Sequence, residues 1–190
     1  MAAGQLLRVV FLDIDGVLHP AAADGAAAGA EAAWSGGGDG LFLPECLGHL
    51  RRLLQETGAS VVLSSSWRLN PRHLEEARQR LGEWGISVQD VTPSLGRSGR
   101  AAEVLAWLGE HRNEVDSFVV LDDLDLLGSP EGPALGHGCI LVNGETGMSA
   151  SDVEQASAVL VGTAARRPLA MAPCEPSSEA AHAPATQPRC

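Results

Sequence analysis

The sequence predicts an α/β protein: a Rossmann-like three-layer sandwich around a central, mostly parallel five-stranded sheet. Three observations predict this. A short apolar run with no polar face stands at residues 9–12, and largely apolar runs recur at 59–63 and 117–121, as strands buried on both sides require. The segments between them carry apolar residues three and four apart, the spacing of helices that cover one face of a sheet. Strands alternating with helices imply right-handed crossovers and parallel pairing.

The first strand, VVFL, runs into Asp13 and Asp15 with one residue between them, and Gly16 then lets the chain turn sharply. An Ala/Gly-rich stretch over residues 20–41 follows, including AAADGAAAGA and SGGGDG; this composition reads as a flexible loop. Trp34 is expected to pin that loop to the domain. GGGDG lacks the Lys-Ser/Thr and the preceding strand of a phosphate cradle, so it reads as linker.

Pro44 opens a helix to about residue 56 with Leu47, Leu50, Leu53 and Leu54 on one face, and Gly58 ends it. The second strand, 59–63, runs into Ser64-Ser65-Ser66-Trp67-Arg68. Asn70-Pro71 then starts a helix with Leu74, Ala77 and Leu81 inward. A weaker third strand covers 86–91. A third helix begins at Ser98 or Gly99 with Ala101, Val104, Leu105 and Leu108 as its core face. The fourth strand ends at Asp122-Asp123, and 139–142 is the fifth. Ser151-Asp152 is expected to cap a last helix with Val153, Ala156 and Leu160 inward. One domain is thus expected over 1–165. Residues 166–190, rich in Pro, Ala, Ser and Glu without periodicity, read as a disordered tail.

Composition narrows the function. Apolar residues make up 45% of the 190, enough for a full core. A net charge of −11 disfavours a broad electrostatic grip on nucleic acid or on an anionic membrane. All thirteen basic residues are Arg, so a fixed positive charge must come from Arg or from a metal. The four Cys are far apart and form no CxxC pair, against a zinc site or a disulfide framework. MAAGQLLRVV leads straight into the first strand, and no apolar run approaches the roughly 20 residues of a bilayer span. An intracellular protein, a monomer in a reducing cytoplasm, is the expectation.

In open parallel sheets, ligands bind at the carboxyl ends of the strands. That edge gathers Asp13 and Asp15, Ser64 and Ser65, Asp122 and Asp123, with Arg97 and Arg100 at the start of the third helix. Two carboxylates about 4 Å apart repel by roughly 4 kcal/mol at an effective dielectric near 20, so the acids call for a cation. Carboxylates suit Mg²⁺, which prefers oxygen ligands, and a carboxylate is a competent nucleophile toward phosphorus. A serine hydroxyl and a guanidinium can hold phosphoryl oxygens. Each residue also has a plainer use. The serines can satisfy backbone groups at a strand end, Arg100 can be a solvated helix residue, and Asp123 can cap a turn. Asp125 and His19 can be loop residues, and Trp67 can be local core rather than stack over the site with Arg68.

DIDGV resembles the first motif, DxDGT/V, of the haloacid dehalogenase (HAD) superfamily of phosphohydrolases. The serine ending strand two and the acidic pair ending strand four resemble its second and fourth motifs, over about residues 8–162. Within it, VVLSSSWR, VTP, RxxEVxxWL and VVLDD are most similar to the HAD domain of Swiss Army Knife RNA repair proteins. The resemblance implies a Mg²⁺-dependent phosphatase that works through an aspartyl-phosphate. Asp13 is then the nucleophile and Asp15 the acid and base. Asp13, the Asp15 backbone carbonyl, and Asp122 or Asp123 hold the metal. Ser65, with Ser64 second, binds phosphate. The family's third motif is usually Lys; this chain has none, and Arg100 is the first choice for that place, Arg97 the second.

The Ala/Gly loop is too short and too poor in apolar residues to be a folded cap domain. The site is therefore expected to be open to a phosphate on something large, a nucleic acid terminus or a protein side chain. Three other readings compete. A receiver domain needs an Asp ending a middle strand and usually a Lys. A dehalogenase does not need the second acid of DxD. A non-catalytic binding module on a HAD fold would leave buried acids without a use.

Overall fold

The chain's computed structural model describes residues 6–20 and 42–162. Its strands are β1 (Leu7–Leu12), β2 (Ser60–Leu63), β3 (Val88–Val91), β4 (Val115–Asp122) and β5 (Cys139–Leu141). Its helices are α1 (Pro44–Thr57), α2 (Pro71–Glu83), α3 (Gly99–Glu110) and α4 (Ala150–Val161). The strands form one sheet in the order β3-β2-β1-β4-β5. Every pairing is parallel, so the sheet is wholly rather than mostly parallel. No cap domain stands among the described residues. The Ala/Gly-rich segment with Trp34, and the tail, lie outside them.

β1 is central, and Val9, Val10, Phe11 and Leu12 are each at most 1% exposed. The pleat sends them alternately to two cores. Val10 and Leu12 join Val61, Leu63, Val119 and Leu121 under α1, α2 and α4. Val9 and Phe11 join Val62 and Val120 against α3.

α1 is entered by Pro44 and buries Leu47, Leu50 and Leu53. It ends at Gly58, whose φ of 66° is left-handed and whose N–H returns to the Leu54 carbonyl. The Asn70 side chain accepts the Arg72 N–H at the start of α2. α4 begins earlier than Ser151-Asp152. Its cap is Ser149, whose hydroxyl accepts the Asp152 N–H while the Asp152 carboxylate accepts the Ser149 N–H. Asp152 is thus the third residue of the helix and completes a capping box.

α3 also differs from its sequence pattern. Leu105 is half-buried, while Glu103 and Trp107 are buried with Ala101, Val104 and Leu108. Trp107 meets Phe11 edge-on, with ring centroids 5.3 Å apart, and donates its indole N–H to Asp90 at 2.6 Å. A partner on β3 removes the cost of burying the indole N–H. No helix among the described residues is long and apolar enough to cross a membrane.

Register prepares the site. Leu12 pairs with both Leu63 and Leu121, and Leu63 pairs with Val91. The next residues along these adjacent strands are Asp13, Ser64, Asp122 and Thr92. Four polar side chains therefore stand in a row at the sheet's carboxyl edge.

Candidate active site

Beyond β1 the chain turns tightly. The Val17, Leu18 and His19 N–H groups all reach the Ile14 carbonyl, and Gly16, with φ 75°, donates to the His19 carbonyl. This turn starts Asp13 and Asp15 in different directions. Asp13 is 3% exposed and accepts the Ile14 N–H at 2.8 Å. Its other oxygen pairs with Arg100 Nη1.

Asp122, 1% exposed, accepts the Leu124 N–H at 3.0 Å on one oxygen and Arg100 Nη1 at 2.6 Å on the other. Burial pushes its carboxyl up to about 6; Arg100 opposes the rise and Asp13 adds to it. Asp123 is also raised, by burial and then by Asp13. Two glycines make room for Asp123. A Cβ on Gly16 would stand 2.3 Å from its Cγ, and one on Gly144 would stand 2.8 Å from its Oδ2.

Asp13, Asp122 and Asp123 each offer a carboxylate oxygen, and these oxygens lie within 4.8 Å of one another. Three hard oxygen donors around one point fit a small divalent cation such as Mg²⁺. The raised carboxyls have the same cause as that fit: concentrated negative charge with too little water or counter-charge to hold it.

Arg100 brings a positive side chain to the site of this Lys-free chain. Burial works to lower its pKa, but Asp13 and Asp122 more than reverse this, and the guanidinium is held firmly charged. The side chain of Arg97 lies outside the described part.

Ser64 and Ser65 are both fully buried, and both N–H groups reach the Leu12 carbonyl. Their hydroxyls differ. The Ser65 hydroxyl accepts the Trp67 N–H at 3.4 Å and caps a short 3-10 turn, Ser66–Leu69. The Ser64 hydroxyl has no hydrogen-bond partner among the described residues. The Thr92 hydroxyl, in the same row, likewise has none among the described residues, and the Ser65 hydroxyl, an acceptor in its turn, keeps its O–H to donate.

Asp15 stands apart from the three-acid cluster. Its carboxylate accepts the Trp67 indole N–H on both oxygens, at 3.0 and 3.2 Å. Asp15 is exposed as a residue, yet partial desolvation of its carboxyl raises it, Trp67 counters, and Asp13 raises it further. Trp67 does pack as local core, with Phe42 at 5.6 Å and His73 at 5.5 Å between ring centroids. Its polar edge nevertheless reaches into the site, a role its place in an apolar cluster does not announce. A core indole needs a partner for its N–H, but that partner lies 52 residues away.

Arg68 does not stack over the site. Its side chain is 4% exposed and turned inward onto four backbone carbonyls and Glu103. Asp125 caps a turn by accepting the Gly128 N–H. His19 is half-buried beside Asp15.

The arrangement can hold a divalent cation beside a buried, metal-facing carboxylate, offer a guanidinium and a free hydroxyl to an anion, and keep a second carboxylate nearby for proton transfer. A model of the family described as the HAD domain in Swiss Army Knife RNA repair proteins matches residues 9–153. No curated protein matches the chain. The matched span covers well over half of the sequence and contains Asp13, Asp15, Ser64, Arg100, Asp122 and Asp123. The chain is therefore a member of the family of HAD domains of Swiss Army Knife RNA repair proteins.

Proposed function

We propose that this domain is a Mg²⁺-dependent phosphohydrolase that works through an aspartyl-phosphate at Asp13. The observation that carries the reading is the meeting of Asp13, Asp122 and Asp123 at one point, with Arg100 against two of them. HAD domains are mostly phosphohydrolases, which agrees with this chemistry.

Asp13 attacks the phosphorus, and the bond from phosphorus to the leaving oxygen breaks. Asp15 gives its proton to that oxygen. Asp15, now ionised, takes a proton from a water molecule as that water attacks the phosphoryl group on Asp13. Inorganic phosphate leaves, and Asp13 and the protonated Asp15 are restored. Asp13, Asp122, Asp123 and the Asp15 backbone carbonyl would hold Mg²⁺, which would neutralise charge on the phosphoryl oxygens. Arg100 and the Ser64 hydroxyl bind those oxygens as well. Ser65 remains the second candidate: its hydroxyl accepts the Trp67 N–H and keeps its own O–H to donate.

The Trp67 N–H favours the ionised form of Asp15 while partial desolvation and Asp13 favour the protonated one. That opposition suits a group that must both give and take a proton. Arg in place of Lys brings a planar fork of donors rather than a compact point charge, so its grip on the phosphoryl group is directional.

The substrate proposed is a terminal phosphate on a macromolecule. The absence of a cap domain among the described residues supports an open site, and the family's RNA repair context points to a nucleic acid end. With a net charge of −11, recognition would rest on the terminal phosphate rather than on a long backbone.

Hydrolysis of p-nitrophenyl phosphate with Mg²⁺, compared between wild type and Asp13→Asn, tests the reaction. Activity in the first and none in the second is expected. Equal rates in both would leave a binding module in place of an enzyme. A second comparison sets phosphorylated oligonucleotides and peptides against sugar phosphates. Far better turnover of the sugars would overturn the substrate assignment.

A further inference from the structure

We propose that the buried Arg68–Glu103 pair is a positioning clasp that fixes Ser64 and Arg100 relative to Asp13. The catalytic consequence rests on the phosphohydrolase reading above; the mechanical claim does not.

The two side chains are 4% and 10% exposed. All three guanidinium nitrogens of Arg68 are engaged. Nε donates to the Thr92 carbonyl at 2.9 Å. Nη1 donates to the Ser64 and Ser65 carbonyls at 2.7 and 2.8 Å. Nη2 donates to the Pro93 carbonyl at 3.2 Å and to one carboxylate oxygen of Glu103. The other Glu103 oxygen accepts the Leu95 N–H at 3.0 Å.

Arg68 and Glu103 thus join three separate stretches: the loop after β2, the loop after β3, and the first turns of α3. The first holds Ser64. The third holds Arg100, which lies three residues before Glu103 and so shares its side of the helix. α3 needs such a tie. Its N-cap, Ser98, makes no side-chain capping bond, and Gly99, with φ 79°, opens the helix. Apolar packing seats the helix on the sheet but tolerates small slides and rotations. A guanidinium aimed at two carboxylates does not.

A buried ion pair is a weak source of stability compared with apolar side chains of the same volume. Its gain here is geometric: five donors in a rigid plane reach carbonyls on both flanks and a carboxylate ahead. A lysine ammonium, compact and with three donors, cannot span them.

The test uses the full chain with Arg68→Lys and Glu103→Gln. Leu160→Ala, in the core at the far end of α4, serves as a control for general destabilisation. Two readouts are taken: the guanidinium NMR signals of Arg100, assigned through Arg100→Lys, and kcat and KM for p-nitrophenyl phosphate with Mg²⁺. In both clasp variants the Arg100 signals should broaden or vanish, and kcat should fall about 10- to 100-fold. Leu160→Ala should keep both, despite a comparable loss of Tm. Sharp Arg100 signals and unchanged kcat in the clasp variants would overturn the proposal, as would equal losses in the control. If wild type shows no phosphatase activity, the phosphohydrolase reading fails and the Arg100 signals alone decide the clasp. If Arg68→Lys does not fold, Glu103→Gln decides it.

Discussion

The Trp67 indole N–H donates to both carboxylate oxygens of Asp15, at 3.0 and 3.2 Å. A donor favours the ionised form of the acid that accepts it. Trp67→Phe keeps an aromatic ring between Phe42 and His73 but removes the N–H. The Asp15 proton should then be held to higher pH. The acid limb of the kcat profile, where Asp15 must be ionised to take a proton from water, should move up in pH. A profile that does not move would separate Trp67 from proton transfer.

Arg100 is the counter-charge for Asp13 and Asp122, whose side chains are only 4% and 2% exposed. Removing one partner of a buried pair costs about 3–5 kcal/mol, because a charge is left uncompensated. Arg100→Gln should lose about that much in urea denaturation with EDTA present. Mg²⁺ should restore more stability to the variant than it adds to wild type, since it supplies the missing charge. Equal Mg²⁺ stabilisation of both proteins would contradict this.

Asp122 gives the fold a pH dependence in the absence of metal. Burial lifts its carboxyl from an ordinary value of 3.8 to about 6. Between these values the folded protein keeps a proton that the unfolded chain has lost. The contribution to stability is full below about pH 4 and is lost as pH rises through about 6, a change of about 3 kcal/mol. Wild type should therefore lose stability relative to Asp122→Asn over that window in EDTA. Saturating Mg²⁺ should offset the loss, because metal binding releases the proton. A constant difference between the two proteins in EDTA would refute the shift.

Gly144 tests the seat of Asp123. Its φ is not left-handed, so the effect of Gly144→Ala is steric. The new Cβ would meet Asp123 Oδ2 at 2.8 Å, and that flexible carboxylate can move aside. Stability should change by less than about 1 kcal/mol. Mg²⁺ affinity, read by isothermal titration calorimetry, should fall severalfold. Unchanged affinity would mean that Asp123 is not a ligand.

Much of the fold and of the site could be read from the residues because local rules and global rules agreed. The apolar run of β1, the Asn70-Pro71 start of α2 and the Leu spacing of α1 each point one way. The rule that places ligands at strand ends then gathered Asp13, Ser64 and Asp122. The parts that could not be read depend on contacts far apart in sequence. Trp107 is buried because Asp90 on β3 meets its N–H, and Trp67 faces Asp15 across 52 residues. Arg68 lies 35 residues from Glu103, and a charged pair in the interior leaves no apolar period to detect. Nor does sequence distinguish Ser64 from Ser65. The difference is which hydroxyl the 3-10 turn takes for its cap.

The most direct test of the central claim is to quench the wild-type enzyme with acid during turnover of p-nitrophenyl phosphate and map the phosphoryl group by mass spectrometry. One phosphoryl group is expected on the peptide that contains Asp13, absent in Asp13→Asn and increased in Asp15→Asn, where the second step is slowed. Turnover with no phosphoryl group on Asp13 in either wild type or Asp15→Asn would contradict it.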